Sequence, residues 1–296
     1  NRAFYGLPDL TNSQGQHTNA VLGFINIIMK IIDEEKPTHF AVAFDVHQKT
    51  FRHEMFQEYK GTRKGMPDEL RSQVPLIKDL LKAMNVKVFE CPGFEADDVI
   101  GTLSRIGEQA GMEVAVLSGD RDLLQLATER VLIKIPKTKG GQTTVENYYA
   151  KDVQTLYGVT PIEFIDMKGL MGDTSDNIPG VPGIGEKTAA KIIMEYHSIE
   201  EAYAHVEDIK PKKAMENLRD FYDQAIMSKV LATIKLDAPI EAKFEDMQYG
   251  DLFTSEAYVQ IKNLELKSLL KYFETPKEEV SLSFETQILI DAFLPH

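Results

Sequence analysis

The chain has 296 residues, 43% hydrophobic and 27% charged, which suits an ordinary globular protein of one large domain or two smaller ones. Its net charge of −13 excludes a uniformly basic nucleic-acid coat, though not a local cationic site. The longest apolar run, Phe24 to Ile32, is too short to cross a membrane and is interrupted by Lys30, so no membrane association is expected. No signal peptide is visible, the sequence opens on Asn1 rather than Met, and the single cysteine, Cys91, reads as a free thiol in a reducing compartment.

In chain order, Thr18 is expected to cap a helix reaching Glu35, with apolar positions Val21, Phe24, Ile25, Ile28 and Ile32 on one face. HFAVAFD reads as a buried strand ending at Asp45. A basic island follows at 47–66, with five Lys/Arg and two His against two Glu and little apolar periodicity. That segment is expected to order only on contact with phosphate. Pro67 is expected to open one helix through Met84, kinked at Pro75. VKVFE reads as a strand, EADDVIGTLSRIGEQAG as a helix closing on Gly111, MEVAVLS as a strand and DRDLLQLA as a short helix. VLIKI then reads as a strand leading into a hairpin across KGGQ.

This alternation predicts an α/β unit with a mostly parallel central sheet flanked by helices, over 1–160. From Pro161 the pattern is helical, and a helical part is expected over 161–274. It contains single helices at 211–235 and from Ser255 through the YFE segment. Residues 275–296 read as a charged linker and, at VSLSFE, the first strand of a further domain.

Open α/β sheets bind ligands beyond the carboxyl ends of their strands. Asp45 ends one strand, Asp120 and Asp122 follow another, and Glu95, Asp97 and Asp98 follow a third after a short loop. Asp173 and Asp176 repeat the three-residue spacing of Glu95 and Asp98. Acids in a helix's first turn also complement its dipole with no ligand present. Convergence changes the balance, because two like charges 4 Å apart cost about 4 kcal/mol at an effective dielectric of 20. Hard oxygen donors with no His or Cys cluster favour two Mg²⁺ or Mn²⁺ ions, the apparatus that cleaves phosphodiesters.

GVPGIGEKTAAKI, 180–192, places a glycine turn before a helix whose first turn holds Lys187 and Thr188. Glycines admit a phosphate close to the backbone and the helix start offers amide donors. We read it as a helix–hairpin–helix that grips duplex backbone, with Gly183, Ile184, Gly185, Lys187 and Thr188 at the contact.

FDVHQKTFRHEMFQEYKGTR, GFEADD, SGDRD and MGDTSDNIPGVPGIGEKTA, in this order, resemble the 5′-nuclease domain of bacterial DNA polymerase I, within the flap endonuclease family. The resemblance spans roughly 1–274. It implies a PIN/5′-nuclease-like fold and a monomeric, cytoplasmic (nucleoid) enzyme. Such an enzyme cuts 5′ flaps, nicks and RNA-primed ends in replication and repair, ahead of a linked polymerase domain. It implies metal-holding or supporting roles for Asp45, Glu95, Asp97, Asp98, Asp120, Asp122, Asp173 and Asp176. Lys60 and Arg63 become catalytic arch residues beside the scissile phosphate, with Asp98 and Asp120 central to the chemistry. Arg2 and Arg52 become phosphate contacts, Phe4 a base-stacking candidate, and the hairpin carbonyls a K⁺ site. The family's first strand ends in an Asp-Gly pair upstream of the segment matching NRAFYGLP, so a central strand and one ligand are expected to be missing. That expectation keeps open a second reading, a catalytically impaired DNA-junction module. A small-molecule phosphatase would share the acids but not the basic island or hairpin.

Overall fold

A computed structural model describes residues 2–139, 142–273 and 286–291. Helix α1 spans Arg2–Gly6 and α2 Asn19–Glu35, which buries Val21, Ile25, Ile28 and Ile32 as its periodicity predicts. Thr18 makes no side-chain cap, its hydroxyl donating instead to the Leu10 carbonyl at 3.4 Å. Strand β1 (His39–Ala43) leads to α3 (Phe51–Met55) inside the basic island. The single helix expected after Pro67 is two, α4 (Asp68–Arg71) and α5 (Gln73–Ala83). Pro75 has no N–H for the Arg71 carbonyl, and the break falls one turn before it. Strand β2 (Lys87–Phe89), α6 (Ala96–Gln109), β3 (Glu113–Leu117), a 3₁₀ turn at Asp122–Leu126, β4 (Val131–Lys139) and β5 (Gln142–Tyr148) follow as expected. The tip of the hairpin, 140–141, lies outside the described residues.

Helix α7 (Ala150–Tyr157) was not foreseen; Val153 is its one fully buried residue. The helical part continues with α8 (Pro161–Met171), α9 (Glu186–Tyr196) and α10 (Ile199–Ala204). The segment expected as one helix at 211–235 is α11 (Lys212–Asp220) and α12 (Tyr222–Ala232), parted at Phe221 with φ −119° and ψ 26°. After the short α13 (Phe244–Met247), α14 (Ser255–Asn263) stops early and a 3₁₀ turn at Lys267–Phe273 replaces its expected continuation.

The last strand, β6, lies at Thr286–Asp291, whereas VSLSFE, 280–285, falls wholly outside the described residues. It does not stand apart from the preceding fold. The sheet order is β2-β1-β6-β3-β4-β5, with every neighbouring pair parallel except β4–β5. The central position expected to be missing is therefore filled, by residues from the other end of the sequence. One face of the sheet packs Ala41, Ala43, Val114, Val116 and Leu289 under α6. The other packs Phe40, Val42, Ala115, Ile288 and Ile290 under α2, α5 and α14.

The helical part is tied to its own hairpin by a close backbone crossing. Gly172 and Gly180 both have positive φ, 70° and 59°, and a Cβ at Gly180 would stand 2.3 Å from the Gly172 nitrogen. Gly180→Ala should therefore cost about 2–4 kcal/mol in urea unfolding, since neither strain nor clash can relax against backbone. A loss below about 0.5 kcal/mol would contradict that crossing.

Candidate functional site

Because β1, β2 and β3 run parallel, their carboxyl ends share one edge, and the loops after them carry acid to it. Glu95 caps α6 in a reciprocal capping box with Asp98, whose Oδ2 accepts the Glu95 N–H at 3.0 Å. The three-residue spacing read as a ligand pair is thus first a helix start. Asp45 Oδ1 accepts the Ala96 N–H at 2.8 Å, fixing the end of β1 against the same turn. Asp97 stands half-buried beside them.

Two cationic groups run through these acids. Arg52 forks onto Asp98, both bonds 2.8 Å, and reaches Glu95 at 3.5 Å. Lys60 Nζ donates to Glu95 Oε1 at 2.8 Å and stands 3.9 Å from Asp176. Tyr59 Oη lies 3.1 Å from Glu95 and 3.2 Å from Asp176, with its one proton to donate between them, and Arg63 pairs with Asp176. In the second group Lys168 Nζ bridges Asp122, at 2.8 Å, and Asp173. Asp122 N–H donates to Asp120 Oδ1 at 2.8 Å, and Asp120 feels the charges of Asp176 and Asp173, so the two groups form one field.

This geometry corrects several expectations. Asp98 is 0% exposed and saturated by Arg52, the Glu95 N–H and the Lys235 N–H, so it is a structural acid here and not an open ligand. Arg52, itself 2% exposed, also donates to the carbonyls of Leu231 and Thr233, so it cannot contact an external phosphate as placed. Lys60 and Arg63 point into the acids and do not project from an open arch. The basic island is folded: the Lys60 N–H donates to the Asp176 carbonyl at 2.8 Å, and Asn177 Nδ2 to the Glu58 carbonyl at 2.7 Å. What offsets its cations is internal carboxylate, a partner its local composition does not reveal. Phe4 is half-buried in edge contact with Tyr5, and nothing is described of the Arg2 side chain.

Lys168 and Tyr59 were missed. The signal for Lys168 was present, a lone cation in the apolar run IEFIDMKGLM on a helix buried on most sides.

The charge balance is uneven. Burial pushes Glu95 up, but Lys60 and Arg52 outweigh it and hold the carboxyl below its ordinary value. Burial raises Asp173 too, and Lys168 pulls it down to about 2. Asp122 is pushed up to about 7, by burial first and then by Asp120, and Asp120 is raised by burial and by Asp176. Lys168 therefore leaves positive charge wanting at Asp120 and Asp122. Among the described residues no three acids close on a single ion. The donor chemistry of Asp120, Asp122 and Asp173, hard oxygens short of cation, nevertheless suits a divalent metal.

The hairpin joins α8 to α9. Gly183 has φ 74°, Ile184 is buried as its anchor, and Gly185 caps α9 with open space where a Cβ would stand. Lys187 is exposed and Thr188 half-exposed in the first turn. The backbone at Gly185 is thus open to a phosphate, whereas the Ile184 side chain belongs to the core.

Two stability tests follow from these contacts. Arg52→Ala leaves Asp98 buried without its counter-charge and should cost about 3–5 kcal/mol in urea unfolding, against less than about 0.5 for Lys187→Ala. Equal, small losses would return Arg52 to the surface. Asp122 contributes stability that is present below its ordinary value of 3.8 and lost as pH rises through about 7. Asp122→Asn should therefore raise metal-free stability at pH 8 on the order of 1 kcal/mol, with little effect at pH 4. A loss of stability at pH 8 would show that Asp122 is stabilised there by Lys168.

The sequence matches two family signatures, "5′-3′ exonuclease, N-terminal resolvase-like domain" over 1–158 and "5′-3′ exonuclease, C-terminal SAM fold" over 159–254. DNA polymerase I of Bacillus caldotenax is 48% identical over 278 residues, 94% of this chain but 32% of that protein. DNA polymerase I of Bacillus subtilis is 49% identical over 270 residues, 91% of this chain and 30% of that protein. The chain thus spans about a third of the length of these curated relatives. Its fold is similar to that of the T5 5′-exonuclease with bound zinc, at 20% identity and TM-score 0.61, covering 82% of this chain and 89% of the other. The two signatures together run from residue 1 to residue 254, and the chain belongs to the 5′-3′ exonuclease family.

Proposed function

We propose that this chain is a structure-selective, divalent-metal-dependent 5′ nuclease that hydrolyses phosphodiester bonds at 5′ flaps, nicks and RNA-primed DNA ends. The observation that carries the reading is the pairing of an under-neutralised acid edge with an open glycine hairpin in one fold. Acid alone repels a phosphodiester and a hairpin alone only holds duplex; together they position a backbone against a place for metal. The similarity to DNA polymerase I supports a DNA substrate, a covalently linked polymerase domain and a place in bacterial replication and repair. No helix among the described residues is long and apolar enough to cross a membrane.

Asp45, Glu95, Asp97, Asp120, Asp122, Asp173 and Asp176 would together supply the oxygen donors for two Mg²⁺ or Mn²⁺ ions. Two such ions, if bound, would activate water and offset charge on the phosphodiester. The chain's own residues do the rest. Asp98 holds Arg52 and the first turn of α6, and so fixes Glu95. Lys60 and Arg63 neutralise Glu95 and Asp176, and their ammonium and guanidinium groups become available to a phosphate once those acids are otherwise compensated. Gly183, Gly185, Lys187 and Thr188 grip duplex without reading sequence, and the hairpin carbonyls are the K⁺ position of the same reading. The impaired-module reading rests on one observation, that Arg52, Lys60, Arg63 and Lys168 already occupy the acids.

A 5′-labelled flap incubated with and without Mg²⁺ separates the two. Cleavage should require metal while gel-shift binding persists in EDTA; binding with no cleavage at any metal concentration would select the impaired module. Asp120→Asn should lower single-turnover cleavage by about 100-fold or more with the fold retained. Lys187→Ala should reduce the salt slope of binding by about 1 and be rescued by added enzyme.

A further inference from the structure

The acids form two groups, Glu95 and Asp98 with Asp176, and Asp120 and Asp122 with Asp173. The ion pairs of Lys60, Arg63 and Lys168 that compensate them are the ones a metal would compete for. A two-ion site still needs a fixed separation once those pairs yield. Residues 231–235, at and just beyond the end of α12, are bonded to both groups through none of those pairs.

On one side, Arg52 donates to the Leu231 carbonyl at 2.9 Å and to the Thr233 carbonyl at 2.7 Å. The Lys235 N–H donates to Asp98 Oδ1 at 2.8 Å. On the other side, Gln125 takes the alternate positions. Its Nε2 donates to the Ala232 carbonyl and its Oε1 accepts the Ile234 N–H, both at 2.9 Å. Thr233 is extended, φ −77° and ψ 123°, so successive backbone groups face opposite ways. Gln125 is 8% exposed and lies in the same 3₁₀ turn as Asp122. The span also lies flush on α6. A Cβ at Gly101 would stand 2.7 Å from Ile234 Cγ2 and 3.0 Å from the Lys235 carbonyl oxygen, so its height is set by the absence of a side chain there.

A purely structural amide would satisfy two buried backbone groups and do no more. The groups that Gln125 satisfies, however, belong to the span that holds Arg52, and Arg52 fixes Asp98 and hence Glu95. We propose that Gln125 is a positioning residue: through residues 231–235 it keeps the Asp122 turn and the Arg52–Asp98 pair at the separation that two-metal cleavage needs. The proposal rests on the nuclease reading above. It gives Gln125 no contact with metal or DNA, and it requires the span to stay in place while metal displaces the lysines.

The test compares three variants of the full chain on a 5′-labelled flap. Gln125→Met keeps an unbranched side chain and removes both bonds. Gly101→Ala reaches the same span from the α6 side and removes no hydrogen bond. Val153→Ala opens the core under α7, which contributes no residue to either acid group, and controls for stability alone. Gln125→Met and Gly101→Ala should each slow single-turnover cleavage at saturating enzyme by roughly 10- to 100-fold, with the Kd for the flap in EDTA unchanged. Val153→Ala should keep the parent rate at a comparable loss of urea stability. In the parent protein, hydrogen exchange at the Ile234 amide should stay slow as Mg²⁺ saturates, a measurement that needs no variant to fold. A parent-like rate in Gln125→Met beside an active parent overturns the proposal alone, as does loss of Ile234 protection on Mg²⁺ binding. Equal slowing in Val153→Ala would reduce the effect to stability. No cleavage by the parent would remove the nuclease reading and the proposal together.

Discussion

The structure depends on compensating the acid that a parallel sheet gathers at one edge. Loops after β1, β2 and β3 end at the same place, so their carboxylates meet whether or not a ligand is present. Each uncompensated pair costs a sizeable fraction of a domain's stability. This protein answers with internal cations from distant parts of the chain: Arg52, Lys60 and Arg63 from the basic segment, and Lys168 from α8. The compensation is complete around Glu95 and incomplete around Asp122, which burial and Asp120 keep raised. The edge is therefore stable enough to fold and still short of positive charge.

The same contacts hold the two parts of the molecule together. Asp176 belongs to the loop before the hairpin, yet its side chain meets Tyr59, Lys60 and Arg63, and its carbonyl accepts the Lys60 N–H. Lys168 on α8 reaches back to Asp122 after β3. The hairpin proposed to grip duplex is thus coupled to the acid edge by ion pairs that a metal would compete for. In that proposal, positioning of substrate and readiness of the site would share one set of bonds.

Much of this was legible in the sequence, for physical reasons that differ by element. β1, β3 and α6 were readable because a buried strand or helix advertises its period. The acids at Asp45, Glu95 and Asp120 were readable because strand ends in a parallel sheet share an edge. The hairpin was readable from glycines that only a close backbone approach requires. Long-range partners were not. Nothing local says that Arg52 will meet Asp98, 46 positions away, or that Lys60 folds inward and does not reach out. Helix breaks at Ser72 and Phe221 blurred because periodicity continues across them. β6, at 286–291, was not foreseen as a strand of this sheet, because a strand's sequence names its faces but not its neighbours.

The central claim is that Lys168 and Lys60 hold positions that divalent metal takes over. Their ammonium groups are buried and hydrogen-bonded, so they should give protected ¹⁵Nζ resonances in metal-free protein. A Mg²⁺ titration followed at these two signals is the most direct measurement. The account predicts that both lose protection and shift as the site saturates, Lys168 before Lys60. Saturable Mg²⁺ binding that leaves both lysine signals unmoved would contradict it.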